Sequence, residues 1–158
     1  MKKYLCRFAS LLPVIYPSFY TLTPHSSEEL VFLSENGIVD SSETETEATE
    51  ISGWTVDNTM REATGNHFHL FDKVGIAGRS MALDIGTAIA QNLLCKLARA
   101  FPEKKFIVYL TMNIEGATIV RFHQVWADEP PYYDATQPFD DGTELYVFRS
   151  TTGDDSLS

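Results

Sequence analysis

Residues that would announce a chemistry are scarce in this chain. There are only two cysteines, Cys6 and Cys95, at no metal-binding spacing. That excludes a paired-cysteine zinc site and leaves any disulfide to tertiary accident, so a reduced, cytosolic chain is expected. Bases are outnumbered, with 12 Lys and Arg against 22 Asp and Glu and a net charge of −10. Displacing counterions from nucleic acid needs a positive face, so no nucleic-acid partner is expected. Long hydrophobic runs are missing as well. The apolar stretch from Phe8 to Tyr20 is broken by Pro13 and Pro17 and is too short to span a bilayer, so no membrane partner is expected. Lys2, Lys3 and Arg7 ahead of that stretch look like the start of a secretory leader. The prolines and the lack of a small-residue cleavage site favour a docked N-terminal strand or short helix instead. No Gly-x-Ser-x-Gly elbow, His-Glu-x-x-His pair or internal repeat occurs.

What is present begins with the layout of charge. Residues 1–24 carry three bases and no acids, and residues 25–65 carry ten acids and one base. Residues 66–126 carry four acids and seven bases, and residues 127–158 carry eight acids and one base. Two acidic segments therefore flank a mildly basic centre. A chain of 158 residues with 44% hydrophobic content can bury one core, so a single domain over 1–158 is expected. Within it, Asp40 to Ser52 (DSSETETEATEIS) reads as an exposed acidic linker, and Thr151 to Ser158 as a frayed tail.

The fold is organised around Ser80 to Trp126. Met81, Ile85, Ile89, Leu93, Leu97 and Phe101 recur every four residues and predict a long amphipathic helix, capped by Ser80 and stopped by Pro102. Gly86 inside it implies close packing at that turn. The period then changes to two. Phe106, Val108, Leu110 and Met112 alternate with Ile107, Tyr109, Thr111 and Asn113. Glu115-Gly116 turns the chain, and Thr118, Val120, Phe122, Gln124 and Trp126 alternate in the returning strand. Upstream, Ser26-Ser27-Glu28-Glu29 offers a capping box for a short helix through Leu30, Val31 and Leu33, closed by Asn36-Gly37. A second short helix is expected over Thr55 to Thr64, and a strand over Asn66 to Val74. A last strand covers Glu144 to Ser150. The fold class is α+β, a mostly antiparallel sheet of about four strands packed on one long helix, with short N-terminal helices.

Three stretches carry candidate chemistry. His67 and His69, two apart on a strand, share a face, and His123 on a neighbouring strand would add a third imidazole for a catalytic zinc. Against this stands the plainer reading of polar histidines on an exposed strand, and no metal or other cofactor is expected. Gly75-x-x-Gly78-Arg79-Ser80 precedes a helix and could hold an anion, but it lacks the spacing of a phosphate loop and reads as a strand-to-helix turn. The third is the segment from Trp126 to Asp134 (WADEPPYYD). Its aromatic rings suit interface anchors, its prolines pre-order a loop, and its acids would steer a basic partner. Trp126, Asp128, Glu129, Tyr132, Tyr133 and Asp134 are the candidate binding residues. The alternative is that its rings fold back onto the sheet as ordinary packing.

In size, acidity and lack of a catalytic signature the chain resembles small stand-alone binding proteins such as bacterial toxin-neutralising immunity proteins. That is an analogy of class. The expected function is a cytosolic binding protein that neutralises or regulates a basic partner protein. A small metal-dependent hydrolase using His67, His69 and His123, or a structural subunit of a larger assembly, are the alternatives. The oligomeric state is not legible.

Overall fold

The computed structural model describes residues 17–23, 29–34 and 57–150. The expected acidic linker at 40–52 and tail at 151–158 lie outside the described residues. So do the N-terminal stretch to Tyr16, Ser26-Ser27-Glu28 and Asn36-Gly37. The elements run β1 (Phe19–Leu22), β2 (Leu30–Leu33), α1 (Asn58–Gly65), β3 (His67–Phe71), α2 (Arg79–Ala100), β4 (Phe106–Met112), β5 (Thr118–Gln124) and β6 (Glu144–Arg149). A short 3-10 turn, Ile76–Gly78, leads into α2. All strand pairing is antiparallel, in a two-stranded β1-β2 ribbon and a four-stranded sheet ordered β3-β5-β4-β6. The α+β class stands.

The long helix lies on one face of the four-stranded sheet. Ile89, Ala90, Leu93 and Leu97 of α2 pack with Phe106, Val108 and Leu110 of β4 and Val120 and Phe122 of β5. Val31 and Leu33 of β2 close the same core, and Phe19 of β1 meets the rings of Phe101 and Phe122 edge-on. Gly86 marks the close approach expected of it: a Cβ there would stand 2.8 Å from Leu110 Cδ1. The buried stripe of α2, however, is not the row read from sequence. Met81 and Ile85 are 54% and 39% exposed, and the inward positions are Ala82, Gly86, Ile89, Ala90, Leu93 and Leu97. A strict four-residue step outruns the helical turn by about 40° each time, so the row walks off the sheet toward its N-terminal end. Ser80 does not cap the helix either. Gly78 occupies that place with no side-chain bond, because the preceding 3-10 turn feeds directly into α2.

The second correction concerns Leu30 to Leu33, which is a strand rather than a helix. A four-residue apolar run carries no period of its own, and here tertiary partners decide it. Phe19 to Leu22 pairs with one edge of β2. Two buried side chains complete the other edge: Glu62 Oε1 accepts from Val31 N at 2.7 Å, while Asn66 Oδ1 accepts from Leu33 N and its Nδ2 donates to Val31 O, both at 2.9 Å. These side chains supply the bonds that another strand would have made. The second expected short helix is present as α1, capped by Asp57, whose Oδ1 accepts from Met60 N at 2.7 Å.

The β4-β5 hairpin falls where the alternation put it. Gly116, at φ 80°, takes the left-handed position of the turn, and Asn113 Oδ1 accepts from the backbone N–H groups of Glu115 and Ala117. All seven residues of β4 are buried, which means the sheet is covered on both faces.

Candidate functional site

The face of the sheet turned away from α2 is polar and aromatic. By register it carries Ile107 and Tyr109 of β4, Arg121 and His123 of β5, and Val147 and Arg149 of β6. A loop from Val125 to Thr143 covers much of it. Tyr133 meets Tyr109 edge-on at 5.2 Å and Phe139 at 5.3 Å, and Tyr132 meets Tyr133 at 4.7 Å. The Arg121 guanidinium lies 4.6 Å from the centre of the Tyr132 ring, donates to Tyr132 Oη at 2.8 Å and to the Ala63 carbonyl at 3.1 Å. A partly buried cation is thus held by a ring face and neutral acceptors, with no carboxylate opposite it among the described residues.

His123 sits at the centre of this layer. Its Nδ1 faces the Gln124 carbonyl, which only accepts, so the proton is on Nδ1 and Nε2 is the acceptor. Tyr109 Oη donates to that Nε2 at 3.0 Å, with the two rings stacked. Burial pushes the imidazole below its ordinary value of 6.5 and the Tyr109 and Tyr133 phenols above theirs. The ring is therefore neutral, and both its nitrogens are engaged.

The six residues singled out by sequence divide into two sets. Trp126, Glu129, Tyr132 and Tyr133 turn toward the protein. Trp126 Nε1 donates to Glu62 Oε2 at 3.3 Å. Glu129 accepts from Asn58 N at 3.0 Å and from Thr59 N at 2.6 Å, placing a carboxylate on the positive end of α1. Asp128 and Asp134 face solvent. Asp134 Oδ1 accepts from Thr136 Oγ1 at 2.6 Å and Thr136 N at 2.9 Å, and those bonds hold its carboxyl below the ordinary range. Asp141 does the same with Thr143 beside Gly142, which sits at φ 73°. Asp140 is exposed next to it.

The three histidines do not converge. His67 and His69 are exposed near the outer edge of the sheet while His123 is buried and bonded, and among the described residues no group of three metal-binding side chains forms. The stretch from Gly75 to Ser80 is the strand-to-helix turn expected of it, and Arg79 is committed, donating to the Asn113 carbonyl and pairing with Glu144 at 2.7 Å. One cleft of about 120 Å³ opens between the start of α1 and β6, bounded by Thr59, Ile107, His123, Trp126, Glu129 and Arg149. Thr59 Oγ1, on the wall of this cleft, has no hydrogen-bond partner among the described residues.

Sequence reasoning missed Arg121, Tyr109, Glu62 and Asn66 as organisers of this layer. The one signal available was the polar and aromatic content of the second face of the hairpin, Tyr109 and Arg121 at matched positions. The chain matches no family model, no curated protein and no solved structure.

Proposed function

We propose that the protein binds a basic protein partner through the acidic rim of the loop from Val125 to Thr143, and by occupying that partner neutralises or regulates it in the cytosol. The observation that carries this reading is the division of labour within the loop. Rings and Glu129 fasten it to the sheet and to α1, while Asp128, Asp134, Asp140 and Asp141 remain exposed. A loop already ordered loses little entropy on docking, and exposed carboxylates on it attract a cationic surface before contact. The rings serve as internal anchors in this arrangement, so specificity rests on charge and loop shape.

The test uses the full chain as bait in extract from its native source at low salt, with partners identified by mass spectrometry. Association of the purified partner is then followed by stopped flow against ionic strength. Replacing Asp128, Asp134, Asp140 and Asp141 with Asn should slow association by about tenfold or more and flatten its salt dependence. A partner whose association rate ignores all four changes would remove this loop as the binding surface.

A further inference from the structure

The outer strand of the four-stranded sheet carries two exposed imidazoles that the binding reading does not use. His67 and His69 lie opposite Arg121 and Ile119 of β5, on one face of β3, with ring centres 5.7 Å apart and planes at 71°. Nδ1 of His67 lies 2.7 Å from the Thr64 carbonyl oxygen. A carbonyl oxygen only accepts, so Nδ1 holds the proton and Nε2 presents a lone pair. Metal-binding histidines are commonly oriented in this way, with the second ring nitrogen donating to a backbone carbonyl. Nitrogen–metal bonds of about 2.0–2.1 Å place the ring centres of two imidazoles on a tetrahedral ion about 5 Å apart. The observed centres stand within about 1 Å of that spacing, and rotation of the two exposed side chains can turn both Nε2 lone pairs toward one ion.

We propose that His67 and His69 together bind one borderline divalent transition-metal ion of the Zn²⁺, Cu²⁺ and Ni²⁺ class. Imidazole nitrogen prefers these ions to Mg²⁺ and Ca²⁺, which take oxygen ligands. No third His, Cys, Asp or Glu joins the pair among the described residues, so water completes the coordination and the ion stays open to an outside ligand. The buried His123 has no part in it, since both of its nitrogens are engaged inside the protein.

Tag-free protein titrated with NiCl₂ and with ZnCl₂ by isothermal calorimetry, and passed over nickel-charged resin, tests the proposal. One ion per chain is expected, together with retention on the resin. His67→Ala and His69→Ala should each weaken binding by about tenfold or more through loss of the chelate. His69→Gln should do the same while keeping a polar side chain of similar reach, and circular dichroism should show every variant folded. His25→Ala removes the fourth histidine and should change nothing. Absence of binding by the wild type, binding that survives both β3 substitutions, or binding lost with His25 alone would each overturn the site.

Discussion

Glu62 is fully buried, and its carboxylate accepts from Val31 N, Gln124 N, Gln124 Nε2 and Trp126 Nε1, all of them neutral donors. One side chain thereby joins α1, the edge of β2, the end of β5 and the root of the acidic loop. Burial pushes its carboxyl above the ordinary 4.5, and the donors pull against that without cancelling it. A folded-state pKa raised in this sense adds stability below the unfolded value and loses it as pH rises through the folded one. His123 has the opposite sign. Its folded pKa lies below 6.5, so the stability it contributes is present above 6.5 and is lost as pH falls through the lowered value, because the unfolded chain takes up a proton that the folded site refuses. His123→Gln should therefore flatten the decline in melting temperature between about pH 7 and pH 5, whatever it does to stability at pH 7. Thermal melts across that range measure it. A decline equally steep in the variant would mean that other groups produce it.

At the scale of elements, α2 is the piece whose placement the core depends on, and its inward face is testable by two aspartates. Ile89 is 8% exposed and packs in the core, whereas Ile85, one turn earlier, is 39% exposed. Ile89→Asp places an unpaired charge among apolar side chains and should cost about 4 kcal/mol or more, enough to unfold a marginal domain. Ile85→Asp should fall within about 1 kcal/mol of wild type. Denaturant melts of the two variants decide between the drifting four-residue row and the observed stripe. Equal damage from both would put Ile85 in the core after all. The strand β2 teaches a related lesson. Its apolar content suited a helix or a strand, and β1 on one edge with Glu62 and Asn66 on the other selected the strand.

Over the whole molecule the dominant quantity is net charge. At −10 the chain repels itself, a cost to the compact state, and the same charge is what the proposed attraction to a basic partner rests on. Removing four loop carboxylates by the amide substitutions above lowers that repulsion. After Asp134→Asn and Asp141→Asn the remaining side-chain carbonyl oxygen can still accept from Thr136 and Thr143, so the turns keep their bonds. The variant should melt at or slightly above the wild-type temperature in low salt, while the proposed basic partner should associate with it more slowly. A melting temperature several degrees lower would show that the carboxylates hold the loop together as well as decorate it. Among the described residues no helix is long and apolar enough to cross a membrane.

The sequence by itself determined the long helix, expected from Ser80 to Phe101 and observed over Arg79–Ala100, together with the β4-β5 hairpin, the last strand and the α+β class, because each rests on a local period long enough to count. It also determined the charge layout, which is a matter of composition. Tertiary structure decided what no period records. It chose strand over helix for Leu30 to Leu33, set which of two adjacent rows on α2 faces the sheet, and turned Trp126, Tyr132 and Tyr133 inward while leaving Asp128 and Asp134 outside. Those outcomes depend on partners well beyond the reach of a local period, such as Glu62 for Val31 and Trp126 and Asn58 for Glu129. A short apolar run or an aromatic loop satisfies its bonds with whatever the fold brings beside it. His67 and His69 were legible as neighbours from their spacing alone, while the exclusion of His123 followed from its burial under the loop.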